Sequence, residues 1–148
     1  MEFVKLIFLL YVGSYLSLIV HEGGHHLAVR KCNIRPYNFV VGSGPEFYRL
    51  VFNKTKFSFK FWPTHGKVVY KRIVTYRQEI SIHAAGPLAN FGLAMLLFAA
   101  YVATNFKFLE IFSIMSIFCG VLNLFPSKGS DGAVIYKAWK NLNLNKKK

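Results

Sequence analysis

The chain has 148 residues, room for one domain, with 53% of them hydrophobic and 17% aromatic, yet Lys and Arg outnumber Asp and Glu 19 to 6 for a net charge of +13. Apolar residues in such proportion, gathered into long runs, exceed what a soluble domain of this size can bury. Seventeen of the 19 basic residues lie between or after those runs rather than within them, which makes the charge a topology signal and nucleic-acid binding a poor reading of it.

Residues 3–20 (FVKLIFLLYVGSYLSLIV) approach the roughly 20 residues that cross a bilayer, and the apolar pattern resumes after an interruption to give a span over about 3–29. The stretch reads as a retained span rather than a cleaved leader. It lacks a small-x-small cleavage pattern, and removal would cut beside a histidine cluster. That cluster is "HEGGHH", with His21, Glu22, His25 and His26 inside six residues. An ionisable group within a span costs about 2.5–3.5 kcal/mol and reads as functional by default. On a helix His21 and His25 are one turn apart and point to one side, as two ligands of one metal ion require. Glu22 lies beside that face, in reach of a metal-bound water. This is the HExxH arrangement, in which two imidazoles hold Zn²⁺ and the carboxylate is the general base. His26, four residues after Glu22, is placed to bond that carboxylate or to face the interface. Gly23 and Gly24 permit close approach of a neighbouring helix.

Residues 36–72 lose helical periodicity. "KFSFKFW" (56–62) alternates, with Phe57, Phe59 and Phe61 on one face, and "FYRLVF" (47–52) and "KVVYK" (67–71) also read as strands. "GSGP" (42–45), "NKT" (53–55) and "PTHG" (63–66) supply the turns. The expectation is a small antiparallel sheet of three or four strands, its aromatic face at the membrane interface. An edge of that sheet is suited to pairing with an extended peptide. Two further apolar runs give spans over about 80–104 and 106–126. "GAVIYKAWKNL" (132–142), with Ile135, Trp139 and Leu142 at helical spacing, reads as an amphipathic or membrane-associated helix.

Eleven of the Lys and Arg fall in residues 30–79 and six after residue 127, while Lys5 and Lys107 are alone on the other side. The positive-inside rule then puts the β segment and the C-terminus in the cytoplasm and the N-terminus outside. Cys32 falls on the cytoplasmic side and Cys119 inside a span, so no disulfide framework is expected. His65 and His83 have no partner at ligand spacing and read as interfacial polar residues.

Hydrolytic zinc takes three protein ligands and a water. Of the six acidic residues, Glu22 is the base, Glu2 and Glu110 lie at the wrong membrane face, and Glu46 and Glu79 are in or beside the loop. Asp131 remains, where the third span returns to the side that His21 and His25 reach.

These residues resemble the site-2 protease family of intramembrane zinc metalloproteases. "HEGGH" is similar to the family's HExGH, and "NLFPSKGSDG" to its Asn-x-x-Pro-x-x-x-x-Asp-Gly element through Asn123, Pro126, Asp131 and Gly132. "GPLAN" (86–90) resembles the Gly-Pro-x-x-Asn opening of the intervening helix, and "GSGP" a stretch often found after the first motif. The resemblance covers nearly the whole chain as a single catalytic domain, residues 1–148, of three helices. It implies one Zn²⁺ per chain held by His21, His25 and Asp131, with Glu22 as the base. It also implies that Asn90 binds substrate or the oxyanion, with His26 and Asn123 as supporting residues. Lys128 and Ser130 depart from the Pro and Leu the family often carries there. The implied fold class is a mostly α membrane protein with a cytoplasmic-side sheet between the first two spans.

The implied activity is hydrolysis of a peptide bond in or near a transmembrane segment of a membrane-anchored substrate, towards the cytoplasmic side. Abundant Lys, Asn, Ile and Phe point to an AT-rich prokaryote and its plasma membrane. Partners are then the lipid bilayer and a membrane-anchored protein or peptide, with no nucleic acid. The rival readings are a catalytically silent binding or chaperone module on the same fold, and a zinc carrier or sensor.

Overall fold

The computed structural model describes residues 2–71 and 74–145. Its elements are α1 (Glu2–Lys31), β1 (Pro36–Phe52), β2 (Thr55–Tyr70), α2 (Tyr76–Thr104), α3 (Lys107–Leu124) and α4 (Asp131–Asn145). The helices α1, α2 and α3 are each long and apolar enough to cross a membrane. At 1.5 Å per residue α1 and α2 run about 44 Å and α3 about 27 Å, against a hydrocarbon core of about 30 Å.

The packing has the polarity expected for lipid. Large side chains such as Phe8, Leu96 and Phe118 point outward, while Ser17, Asn90, Ser113, Ser116 and Gly120 are buried between helices. Small residues let the backbones approach, and hydroxyls bond across the gap. Ser113 and Ser116 donate from α3 to the carbonyls of Ala94 and Asn90 on α2, at 2.9 and 3.0 Å.

The boundaries follow from local chemistry. Thr75 caps α2 by accepting from the Gln78 N–H at 3.3 Å, and the Gln78 side chain accepts from the Thr75 N–H at 3.1 Å, a capping box. At the other end Asn105, left-handed at φ 56°, sends its N–H back to the Tyr101 carbonyl, so α3 begins two residues later.

The expected strands are present, but as two long bent strands of one antiparallel sheet rather than three or four separate ones. "GSGP" and "PTHG" lie inside β1 and β2. Gly42 and Gly44 bend β1 at positive φ (87° and 81°) without ending the pairing. Asn53 and Lys54, both at positive φ, make the one tight hairpin turn. Because both strands bend, residues 38–41 lie opposite 66–69 on one side and 56–59 on the other.

Two tyrosines clamp the sheet to α1. Tyr11 and Tyr15 donate to the carbonyls of Phe61 and Lys60, each at 2.6 Å. Leu18, Phe39 and Val41 form the buried contact beneath, with Phe57 and Phe59 against it. The hairpin arm beyond stays exposed, with Phe47, Val51 and Phe52 turned outward as an interfacial surface would be.

The helix α4 packs mainly on α2, with Ala138 buried and Trp139 turned out. Gly132 sits where a Cβ would collide with the Leu124 carbonyl. Gly132→Ala therefore forces the α3–α4 junction apart. The expected result is a loss of about 1–3 kcal/mol of stability, the usual size of an overpacking penalty, measured by thermal unfolding in detergent.

Candidate metal centre

Each half of the His–Glu motif faces where its spacing implies. His21 and His25 are buried on one side of α1, as is Glu22 beside them. Asp131 opens α4, and the Ser130 hydroxyl fixes its backbone by accepting from the Ala133 N–H at 3.2 Å and lying 2.6 Å from the Phe125 carbonyl. The departure at residue 130 is thus an N-cap that delivers the next residue to the site.

His21 Nε2, His25 Nε2 and Asp131 Oδ2 form a nearly equilateral triangle, with sides of 3.0, 3.1 and 3.2 Å. They are a set of donor atoms able to share one ion. Tetrahedral zinc with bonds of about 2.0–2.1 Å separates its ligand atoms by about 3.3 Å, so the residues present fit the metal. Two polar atoms strengthen that fit, since Glu22 Oε2 and Asn90 Oδ1 are buried without a hydrogen-bond partner among the described residues. Burial raises the Asp131 carboxyl, but hydrogen bonds from His21, His25 and His83 overcome it and hold the group well below the usual carboxylate range. It is therefore anionic, as a ligand must be.

The helix α2 supports all three groups. His25 Nδ1 donates to the Ile82 carbonyl at 2.7 Å, which leaves Nε2 with a free lone pair. Asn90 is fully buried, its amide nitrogen 3.2 Å from His21 Nδ1. A half-turn of that amide puts the orphaned Oδ1 against Nδ1–H, the tautomer that frees His21 Nε2. Close approach of α1 and α2 depends on small residues. A Cβ at Gly24 would strike the Ala85 carbonyl, and one at Gly86 would strike the His25 ring, whereas Gly23 faces open space.

A cavity of about 510 Å³ opens beside the triangle, lined by Glu22, Asn123 and residues 63–68 of β2 among others. Gly66 comes so close to Glu22 that a Cβ there would lie 2.6 Å from Oε1. The strand segment around Gly66 thus lies directly against the carboxylate at the wall of the cavity.

Several expectations change on contact with this geometry. Asn90 is buried with its amide nitrogen against His21 Nδ1, while the side chain of Asn123 lines the cavity. Asn123 Nδ2 donates to the Cys119 carbonyl at 2.9 Å. His26 turns away from Glu22, edge-on to Phe39 at 5.7 Å and 5.6 Å from Phe57. Lys128 is exposed, and the described ion pairs of Asp131 are all with imidazoles. One of these was missed in the sequence. His83 donates from Nδ1 to Asp131 Oδ1 at 2.7 Å. Its signal was positional, three residues before Gly86 and seven before Asn90 on one face of α2.

The model of peptidase family M50 matches residues 8–106 of the chain. The chain belongs to peptidase family M50. A Treponema pallidum protein, provisionally named a zinc metalloprotease, is 28% identical over 91 residues, which are 53% of this chain and 20% of that protein. A Neisseria meningitidis protein with the same provisional description is 30% identical over 109 residues, 61% of this chain and 24% of its own length. Among solved structures, the site-2 protease from Methanocaldococcus jannaschii superposes with a TM-score of 0.59 at 21% identity. That match covers 88% of this chain and 53% of the other. This M50 member has the site-2 protease fold, and it spans a quarter or less of these two curated relatives.

Proposed function

We propose that this M50 chain is an intramembrane zinc endopeptidase that cleaves a membrane-anchored protein or peptide in or near its transmembrane segment. The observation that carries this reading is the triangle of His21, His25 and Asp131 beside Glu22, whose Oε2 has no described hydrogen-bond partner, in a cavity among membrane-length helices. Zinc, when bound, supplies Lewis-acid polarisation of a scissile carbonyl and lowers the pKa of a water to about 7. His21, His25 and Asp131 would hold it, one ion per chain, and every other task falls to the chain itself.

Glu22 takes the proton of the attacking water and passes it to the leaving amide nitrogen, so the carboxylate ends as it began. Burial between α1 and Gly66 keeps it from bulk water, and no described hydrogen bond ties up Oε2. Asn123, at the cavity wall, is placed to bond the substrate backbone; Asn90 and His83 orient ligands instead. A transmembrane helix hides its carbonyls in its own hydrogen bonds, so the substrate must unwind. Residues 63–68 of β2 offer backbone groups for it to pair with as an extended strand. The sorting of Lys and Arg supports a cut on the cytoplasmic side.

The test is reconstitution in liposomes with single-span substrates, with the products sequenced by mass spectrometry. Cuts within or next to the apolar segment, favoured by a nearby Pro or Gly and absent with Glu22→Gln, are expected. A zinc-loaded chain that yields the same products with Gln at position 22 contradicts the proposal.

A further inference from the structure

We propose that His83 is a positioning residue for Asp131, holding the carboxylate so that a single oxygen is offered to the metal. The inference rests on the zinc reading above. The two carboxylate oxygens have separate partners. Oδ2 lies 3.0 Å from His21 Nε2 and 3.2 Å from His25 Nε2, while Oδ1 accepts from His83 Nδ1–H at 2.7 Å. The terminal torsion of an Asp side chain is broad, so a fixed backbone does not fix the carboxylate plane. Ser130 caps the helix at residue 131, so the orientation of the carboxylate is left to the groups that bond its oxygens, of which His83 alone among those described bonds Oδ1.

His83 completes a pattern on α2. The Ile82 carbonyl engages the remaining nitrogen of His25, Asn90 that of His21, and His83 the remaining oxygen of Asp131. Each candidate ligand is thus held from behind by the same helix. Pro87, which has no N–H, leaves the His83 carbonyl without its usual helical donor. The His83 side chain is 27% exposed, so filling space is not its main task.

The experiment measures zinc affinity of the detergent-purified chain by chelator competition, for wild type, His83→Leu, His83→Asn and His83→Gln. Loss of a ligand's outer hydrogen bond typically weakens metal affinity about 10–100-fold, and that is expected for Leu. Asn places its amide N–H where Nδ1 stands and should bind within a few-fold of wild type. Gln places it at the position of Nε2 and should resemble Leu. The Asn and Gln pair decides the matter if the Leu variant does not fold. In the Co²⁺-loaded chain, the Leu and Gln variants should show weaker visible absorption as Asp131 swings to offer both oxygens, with Asn like wild type. Zinc affinity and Co²⁺ spectra unchanged across all four overturn the inference alone. So does an Asn variant as weak as Gln. A wild-type chain that holds no zinc overturns the inference and the metal reading together.

Discussion

Glu22→Gln is expected to leave one zinc on the chain and to lower the cleavage rate by about 10²–10⁴, the usual contribution of a positioned general base. The two parts of that result separate the roles of neighbouring residues. Glutamine matches glutamate in shape, so the contact with Gly66 survives, and the triangle of His21, His25 and Asp131 loses nothing. What disappears is an anionic oxygen able to accept a proton. Oε2 has no described hydrogen-bond partner, so its removal breaks no such contact and should cost little stability. Zinc per chain by atomic absorption and product formed per minute are the two readings. Zinc lost along with activity would make Glu22 a ligand instead of a base.

Gly86→Ala is expected to weaken zinc binding at least as much as loss of an outer hydrogen bond does, about 10–100-fold, while the chain still folds. The added methyl group would occupy the space of the His25 ring and lie 2.9 Å from His21 Cε1. Neither imidazole can retreat freely, because His25 is tied to Ile82 and His21 to Asn90. The helix itself gains, since alanine is favoured over glycine in a helix by about 1 kcal/mol, so the penalty is concentrated at the site. Gly92→Ala is the matched control on the same helix. Nothing lies within 4 Å of a Cβ there, and zinc affinity should be unchanged. Chelator competition on the two variants, beside their unfolding temperatures, checks the claim.

The two predictions draw on different depths of the sequence. HExxH is a local pattern: one helical turn sets the geometry of His21 and His25, so reading it needs nothing beyond the assumption of a helix. Asp131 is remote, yet three spans of fixed length leave its segment only one end of the molecule to occupy, and there it lies 3.0 Å from His21 Nε2. The contacts behind the ligands were less legible. His83 and Asn90 are 48 and 69 residues from their partners, and nothing in spacing says which way α2 turns in the bundle. That rotation is set by the glycine contacts of Gly24 and Gly86, which appear only when two helices meet. It puts Asn90 behind His21 and His83 on Asp131. The sheet misled for a related reason. "GSGP" and "PTHG" carry turn chemistry, but Gly42 and Gly44 can bend a strand as well as end one, and pairing partners decide between the two. His26 was drawn towards Glu22 by helical spacing alone, whereas two aromatic rings of the sheet take it instead.

The central claim, that α1 and α4 together build one zinc site, is tested most directly by metal content. Zinc would be counted per chain in detergent-purified protein, with wild type beside Asp131→Ala, after purification without chelators and with zinc resupplied. The account predicts close to one zinc per wild-type chain and clear loss in the variant, because two imidazoles on one helix turn are an incomplete site. Equal zinc in both would show that Asp131 is no ligand. No zinc in either would contradict the account and favour a binding module on the same fold.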